Sequence, residues 1–128
     1  MTASVAMFTI VVDEYERGIA FYRDALGLTL VADTDMGGGK RWVVVAGPAG
    51  SRVLLARADG APQRAAIGNQ SGGRVGFFME TDDFTRDHAA FIARGVRFLE
   101  SPRHEPYGTV AVFEDPFGNK WDLIEPKG

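Results

Sequence analysis

The stretch FEDPFGNKWDLIEP, residues 113–126, reads as a strand, a tight turn and a returning strand. Pro116 presets φ for the turn, and Gly118 accepts the left-handed backbone that follows it. The return strand, residues 120–125, alternates its side chains between two faces. Trp121 and Leu123 share one face; Asp122 and Ile124 share the other. A carboxylate among apolar strand residues is either solvated or set in a cavity for a purpose.

Upstream, the chain shows the same order of elements twice. Residues 5–12 form an apolar, β-branched run, a strand. Residues 14–26 carry Tyr15, Ile19, Tyr22 and Leu26 at helical spacing, and Gly27 is a natural stop. Short strands are expected at 29–32, 41–46 and 52–57, with a flexible glycine-rich connection at 33–40 and a Gly-Pro-Ala-Gly turn at 47–50. Residues 60–73 are polar and glycine-containing and read as a linker. The second pass has a strand at 74–80, a helix at 83–94 stopped by Gly95, a strand at 97–100 and the closing hairpin. Asp13, Tyr15, Arg17 and Tyr22 match Asp82, Phe84, Arg86 and Phe91 at a constant spacing, while Gly27 and Gly95 match with a slip of one residue. Such a repeat predicts two modules, neither able to bury its sheet face alone.

The composition sets limits. The chain has 128 residues, 45% of them hydrophobic, which suits one domain built of two small modules, about 4–59 and 74–126, and excludes disorder. Net charge is −3 and there is no Lys/Arg-rich run, so neither nucleic acid nor an anionic membrane is an expected partner. No apolar run is long enough to span a bilayer, and no basic and apolar leader precedes the first strand. Cysteine is absent. That removes disulfides, thiolate metal sites and Cys nucleophiles, and suits the cytoplasm.

The doubled βαβββ order, the phrase ERGIAFYRDALGL at 16–28 and DPFGNKWDL at 115–123 resemble the vicinal-oxygen-chelate superfamily, which includes glyoxalase I, bleomycin-resistance proteins and extradiol dioxygenases. The resemblance covers nearly the whole chain. It implies an α+β fold of two βαβββ modules forming curled, mostly antiparallel sheets around a cleft, with helices outside, and it implies a homodimer. It fixes the scaffold far better than the function, because this scaffold carries many activities.

The resemblance also implies where a divalent metal would sit, held by His, Glu or Gln from four strands and acting as a Lewis acid on adjacent substrate oxygens. Carried over one at a time, the first position falls on Met7, a poor ligand for such ions. The second falls within 53–56, where no side chain coordinates, and the third falls near Gly76, which has none. The last falls on Asp122, the only carboxylate of the set. One candidate ligand is too few for a metal centre, so no metal and no other cofactor is expected.

Other residues carry weaker signals. His88 reads as a packing residue of the second helix. His104 lies in the loop before the last hairpin and is either solvated or a general base. Asp122 either contacts ligand or pairs with a cation such as Arg52. Trp42 and Tyr107 are candidates to stack on a flat ligand. Residues 37–39, Gly-Gly-Gly, are no phosphate loop, since no Lys-Ser/Thr and helix follow.

Two readings result. The first is a metal-free binding protein whose cleft, lined by Met7, Trp42, Gly76, Tyr107 and Asp122, takes a small, partly apolar organic molecule. The second is an enzyme of the same scaffold, a glyoxalase-type lyase or dioxygenase, using a metal or the acid–base pair Asp122 and His104.

Overall fold

The computed structural model describes residues 2–128, and the chain divides after Ala66 into two compact units. The first unit runs β1 (Met7–Val12), α1 (Tyr15–Ile19), β2 (Thr29–Gly37), β3 (Lys40–Ala46), β4 (Arg52–Arg57) and α2 (Ala61–Ala66). The second runs β5 (Val75–Glu80), α3 (Phe84–Ala93), β6 (Arg97–Phe98), β7 (Arg103–Glu105), β8 (Gly108–Glu114) and β9 (Lys120–Pro126). Each is a βαβββ module, as the repeat predicts, with two departures. The segment read as a linker contains α2, and the second module has one more strand, β7.

The sheets are not curled, and this corrects the expectation of curled sheets. Among the described residues the first sheet has the order β1-β4-β3-β2, and the second β5-β9-β8-β6, with β7 also on β8. In each, the strand before the helix pairs in parallel with the last strand, β1 with β4 and β5 with β9, and the remaining pairs are antiparallel. That parallel pair carries β1 to the edge opposite β2, and β5 to the edge opposite β6. Each hydrogen-bonded path therefore has two free ends and nothing that closes it.

In the first unit, alternation along β1 turns Ile10 and Val12 toward the helix. They join Val43, Val45 and Leu55 of the neighbouring strands and Ile19 and Tyr22 of the helical segment, all buried. Burying each such side chain contributes about 1.5–3 kcal/mol. Gly18 lets the helix sit close on the sheet: a Cβ there would stand 3.2 Å from both Leu55 and Val12 side chains. Phe8, at the start of the same strand face, lies beyond the helix and is exposed.

The first helix does not stay α-helical. From Ala20 to Ala25 it widens into a π-helix, in which Leu26 N–H donates to the Phe21 carbonyl five residues back. The wider turn buries Phe21 and Tyr22 together, their rings edge to face at 5.0 Å. A π-turn is one residue inserted into an α-helix. This accounts for the one-residue slip between Gly27 and Gly95, both of which cap their helices in the left-handed region.

In the second unit, α3 is capped by Asp83, whose side chain accepts from Arg86 N–H. The helix lays Phe84 and Phe91 against a ladder of rings. Phe91 meets Phe113 at 5.9 Å, Phe113 stacks on Trp121 at 6.0 Å, and Trp121 stacks on Phe77 at 5.1 Å.

The β8–β9 turn is built around Asp115, 2% exposed. Its Oδ1 accepts from the backbone N–H of Phe117 and of Asn119, both at 2.9 Å, and its Oδ2 accepts from Asn119 Nδ2 at 2.8 Å. Gly68 closes over this turn. A Cβ at 68 would lie 1.8 Å from the Phe117 carbonyl oxygen, on a backbone with φ of +70°, so no other residue fits. Replacing Asp115→Ala strands three donors beside a buried loop. A loss of about 3 kcal/mol in unfolding free energy is expected from urea melts, with Asp115→Asn losing less.

Candidate functional site

The strand register assigns each candidate residue to a face. In the second unit Asp122 pairs with Phe78 on one side and Val112 on the other, and Val110 and Ile124 continue that face. It is the face away from α3, since Trp121, Leu123 and Phe113 occupy the helix side. Beyond Val112 lies the edge formed by β6 and β7. Between these two short strands the Glu100 side chain takes the place of a strand partner for β8, its Oε2 accepting from Val112 N–H at 2.9 Å. Glu100 Oε1 takes Arg103 Nε at 2.8 Å, and Arg103 Nη1 reaches Glu105 Oε1 at 3.0 Å.

Asp122 stands apart from that network. Its Oδ1 is buried and has no hydrogen-bond partner among the described residues. Burial pushes its pKa above the usual carboxylate range; Arg103 opposes the shift and Glu100 adds to it. Glu100, in contact with Arg103, is held below that range. Of these two carboxylates, Glu100 is neutralised by the protein and Asp122 is not. Across the strand, Phe78 is 62% exposed. The adjacent pair Phe77-Phe78 carried this signal in the sequence: in a strand, neighbouring rings must point to opposite faces, so one ring had to leave the core.

The other candidates fall as follows. Tyr107 is exposed in the turn between β7 and β8. Gly76 lies where the β5 register skips from Val75 to Phe77. The space a side chain would take there belongs to Ser71, whose Oγ and Cβ would stand 1.8 and 2.8 Å from a Cβ at 76. In the first unit, Met7 and Trp42 both lie on the sheet face away from α1, Trp42 39% exposed.

His104 pairs across the strand with Thr109 and contacts its hydroxyl through Nδ1 at 3.3 Å. Thr109 is opposite Glu125, which accepts from Phe84 N–H at the start of α3. His104 is therefore on the helix side of the sheet and Asp122 on the other, so the two do not act on one substrate atom. His104 instead borders a groove of about 350 Å³ with Phe84, Thr85, His88, Pro102, Thr109 and Glu125. His88 is packed between the rings of Phe84 at 5.2 Å and Phe98 at 4.4 Å.

The residues do not fit the metal that the resemblance implies. Of the four positions, Met7 offers a thioether, 53–56 offers Val, Leu, Leu and Ala, Gly76 offers no donor in a space already filled, and only Asp122 offers oxygen. Among the described residues no three His, Asp or Glu side chains gather in a way that holds an ion.

The raised pKa of Asp122 has a definite sign in stability. The charged form is disfavoured in the fold, so stability present below the ordinary aspartate pKa is lost as pH rises through the folded value. Asp122→Asn should therefore melt at a higher temperature than the parent at neutral pH, and this gain should shrink toward zero on acidification, as read by thermal melts across pH.

Comparison with known proteins agrees with this architecture. The family model of the Glyoxalase/Bleomycin resistance protein/Dioxygenase superfamily matches residues 4–123. An uncharacterized protein of Shewanella frigidimarina is 45% identical over 98% of this chain and 95% of its own length. Among solved structures, UcmS2 superposes with a TM-score of 0.84 at 25% identity, covering 98% of this chain and 99% of that one. TnmS3, an antibiotic binding protein from Streptomyces sp. CB03234, superposes with a TM-score of 0.77 at 31% identity, covering 99% of both chains. With two βαβββ modules, the DPFGN turn and this match along nearly its full length, the chain belongs to the Glyoxalase/Bleomycin resistance protein/Dioxygenase superfamily.

Proposed function

We propose that this protein binds a small, partly apolar organic molecule without a metal ion, and that its role is capture rather than turnover. The observation that carries this reading is the Asp122 face: a desolvated carboxylate with an unpartnered oxygen, beside an exposed aromatic ring and aliphatic strand residues. Burying a polar atom without a partner costs on the order of 1–3 kcal/mol. Such a cost is offset when a ligand brings a donor or a positive charge to the carboxylate. Phe78, with the half-buried Val112 and Ile124, supplies apolar contact area, which is how small-molecule sites obtain affinity around a few placed polar groups. The likeness to the antibiotic binding protein TnmS3 supports the same class of role.

The enzyme reading has less behind it. A lyase or dioxygenase of this superfamily would draw on metal ligands that Met7, residues 53–56 and Gly76 do not provide. Its acid–base alternative would need Asp122 and His104 on one side of the sheet, and they are on opposite sides.

The test is a thermal-shift screen of polycyclic natural products against protein treated with chelator, repeated with Ni, Zn, Mn and Fe added. Stabilising ligands should appear in the chelated protein, unchanged by metal. Stoichiometric metal in the purified protein, together with ligand binding that requires it, would overturn the reading.

The protein is further proposed to act as a homodimer. Strands β1 and β5 each stand at the end of a sheet, and Phe8 and Phe78 on them are exposed. Open, apolar edges favour pairing with a second copy. Light scattering at micromolar concentration should give about twice the 13.9 kDa of one chain, and a monomer would refute it.

A further inference from the structure

We infer that the ligand class of the Asp122 face is a flat organic cation, a protonated amine carried on an aromatic or polycyclic body. This deepens the binding reading above and rests on it. The argument starts from the charges on that face. By register it carries Asp122, Glu80, Glu105 and Glu114 against Arg97, Arg103 and Lys120, with the Glu100 carboxylate bonded to Arg103. Every one of these cations is engaged. Arg103 is held by Glu100 and Glu105, Arg97 pairs with Glu114 at 3.0 Å, and Lys120 Nζ donates to the Gly73 carbonyl at 3.0 Å. Among the described residues Asp122 has no cationic partner within salt-bridge distance, and the guanidinium that influences it, Arg103, is forked onto two other carboxylates.

A neutral side chain would fill the same place without the desolvation cost. The charge gains a use only if a cation arrives from outside. Phe78 then supplies the second half of the recognition. It lies directly across the strand from Asp122, and neighbouring strands stand about 5 Å apart. A nitrogen over the carboxylate therefore leaves a fused ring system lying over the Phe78 face, where the ring's negative face also attracts the cation. Because β5 is an edge strand, no further strand competes for that ring. An incoming N–H meets the carboxylate at its other oxygen, Oδ2, and its positive charge compensates the carboxylate as a whole.

Three tricyclic probes of nearly one shape separate the terms: proflavine, a cation at neutral pH; acridone, neutral; and acridine carboxylate, an anion. Each is titrated into full-length protein by fluorescence. Proflavine should bind more tightly than acridone, and acridine carboxylate weakest. Asp122→Asn should weaken proflavine by roughly 10–100-fold and leave acridone unchanged, in keeping with loss of a charge-assisted hydrogen bond. Phe78→Leu should weaken proflavine and acridone alike. If acridone binds as well as proflavine and ignores Asp122→Asn, the cation inference falls while the binding reading stands. If none of the three binds, the inference falls, and the binding reading is decided separately by the natural-product screen. Should either variant fail to fold, the order of the three probes on the parent protein decides alone.

Discussion

The carboxylate of Asp115 sets the geometry on which the second unit depends. Three donors of one short turn converge on it, and that convergence fixes where β9 begins relative to β8. In a strand, a shift of one residue exchanges the faces. With the turn as it is, Trp121 and Leu123 enter the ring ladder under α3, and Asp122 is carried to the opposite face. One residue of slippage would bury Asp122 under the helix and expose Trp121. The turn therefore decides that this protein has a carboxylate beside Phe78 at all. Gly68 reinforces it from outside by bringing backbone against backbone at Phe117.

Much of the fold was legible because it is written in short-range signals. Gly27 and Gly95 end their helices, the alternation in 120–125 sorts the faces of β9, and the doubled order of elements defines the modules. What was not legible depends on pairing between distant segments. Curling could not be judged from alternation, because the edges of a sheet follow from which strand takes the parallel partner. Helix α2 was hidden in a polar stretch with no buried residue to give it a period. The strand β7 is three residues long and owes its place to β8.

The candidate site was half legible for the same reason. Asp122 stood out as a charge in an apolar strand, and alternation along that strand set it opposite Trp121 and Leu123, as the register has it. His104 lies in a segment read as a loop, where no alternation could be applied, and pairing with Thr109 sends it to the helix side. The guanidinium network of Glu100, Arg103 and Glu105 gave no advance sign, since it exists only because β6 and β7 leave a gap on one edge of β8. The two modules, although built to one order, have also diverged in their helices. The π-turn that buries Phe21 and Tyr22 in the first has no counterpart in α3, and the single extra residue it needs is the one visible as a slip between the two glycines.

The seat that Ser71 takes beside Gly76 limits what can be placed there. The family resemblance implies a ligand position near residue 76, which a single substitution of the glycine would fill. Here the first atom of any new side chain at 76 would overlap both Oγ and Cβ of Ser71. The Oγ can rotate aside, but the Cβ moves only with its backbone. A histidine at 76 would thus be deleterious until the 71 segment had changed, and a change at 71 alone would bring no benefit. Met7 and residues 53–56 would still lack donors. A donor at 76 is thus separated from the present packing by two coupled changes, at 71 and at 76, neither of which is favourable by itself.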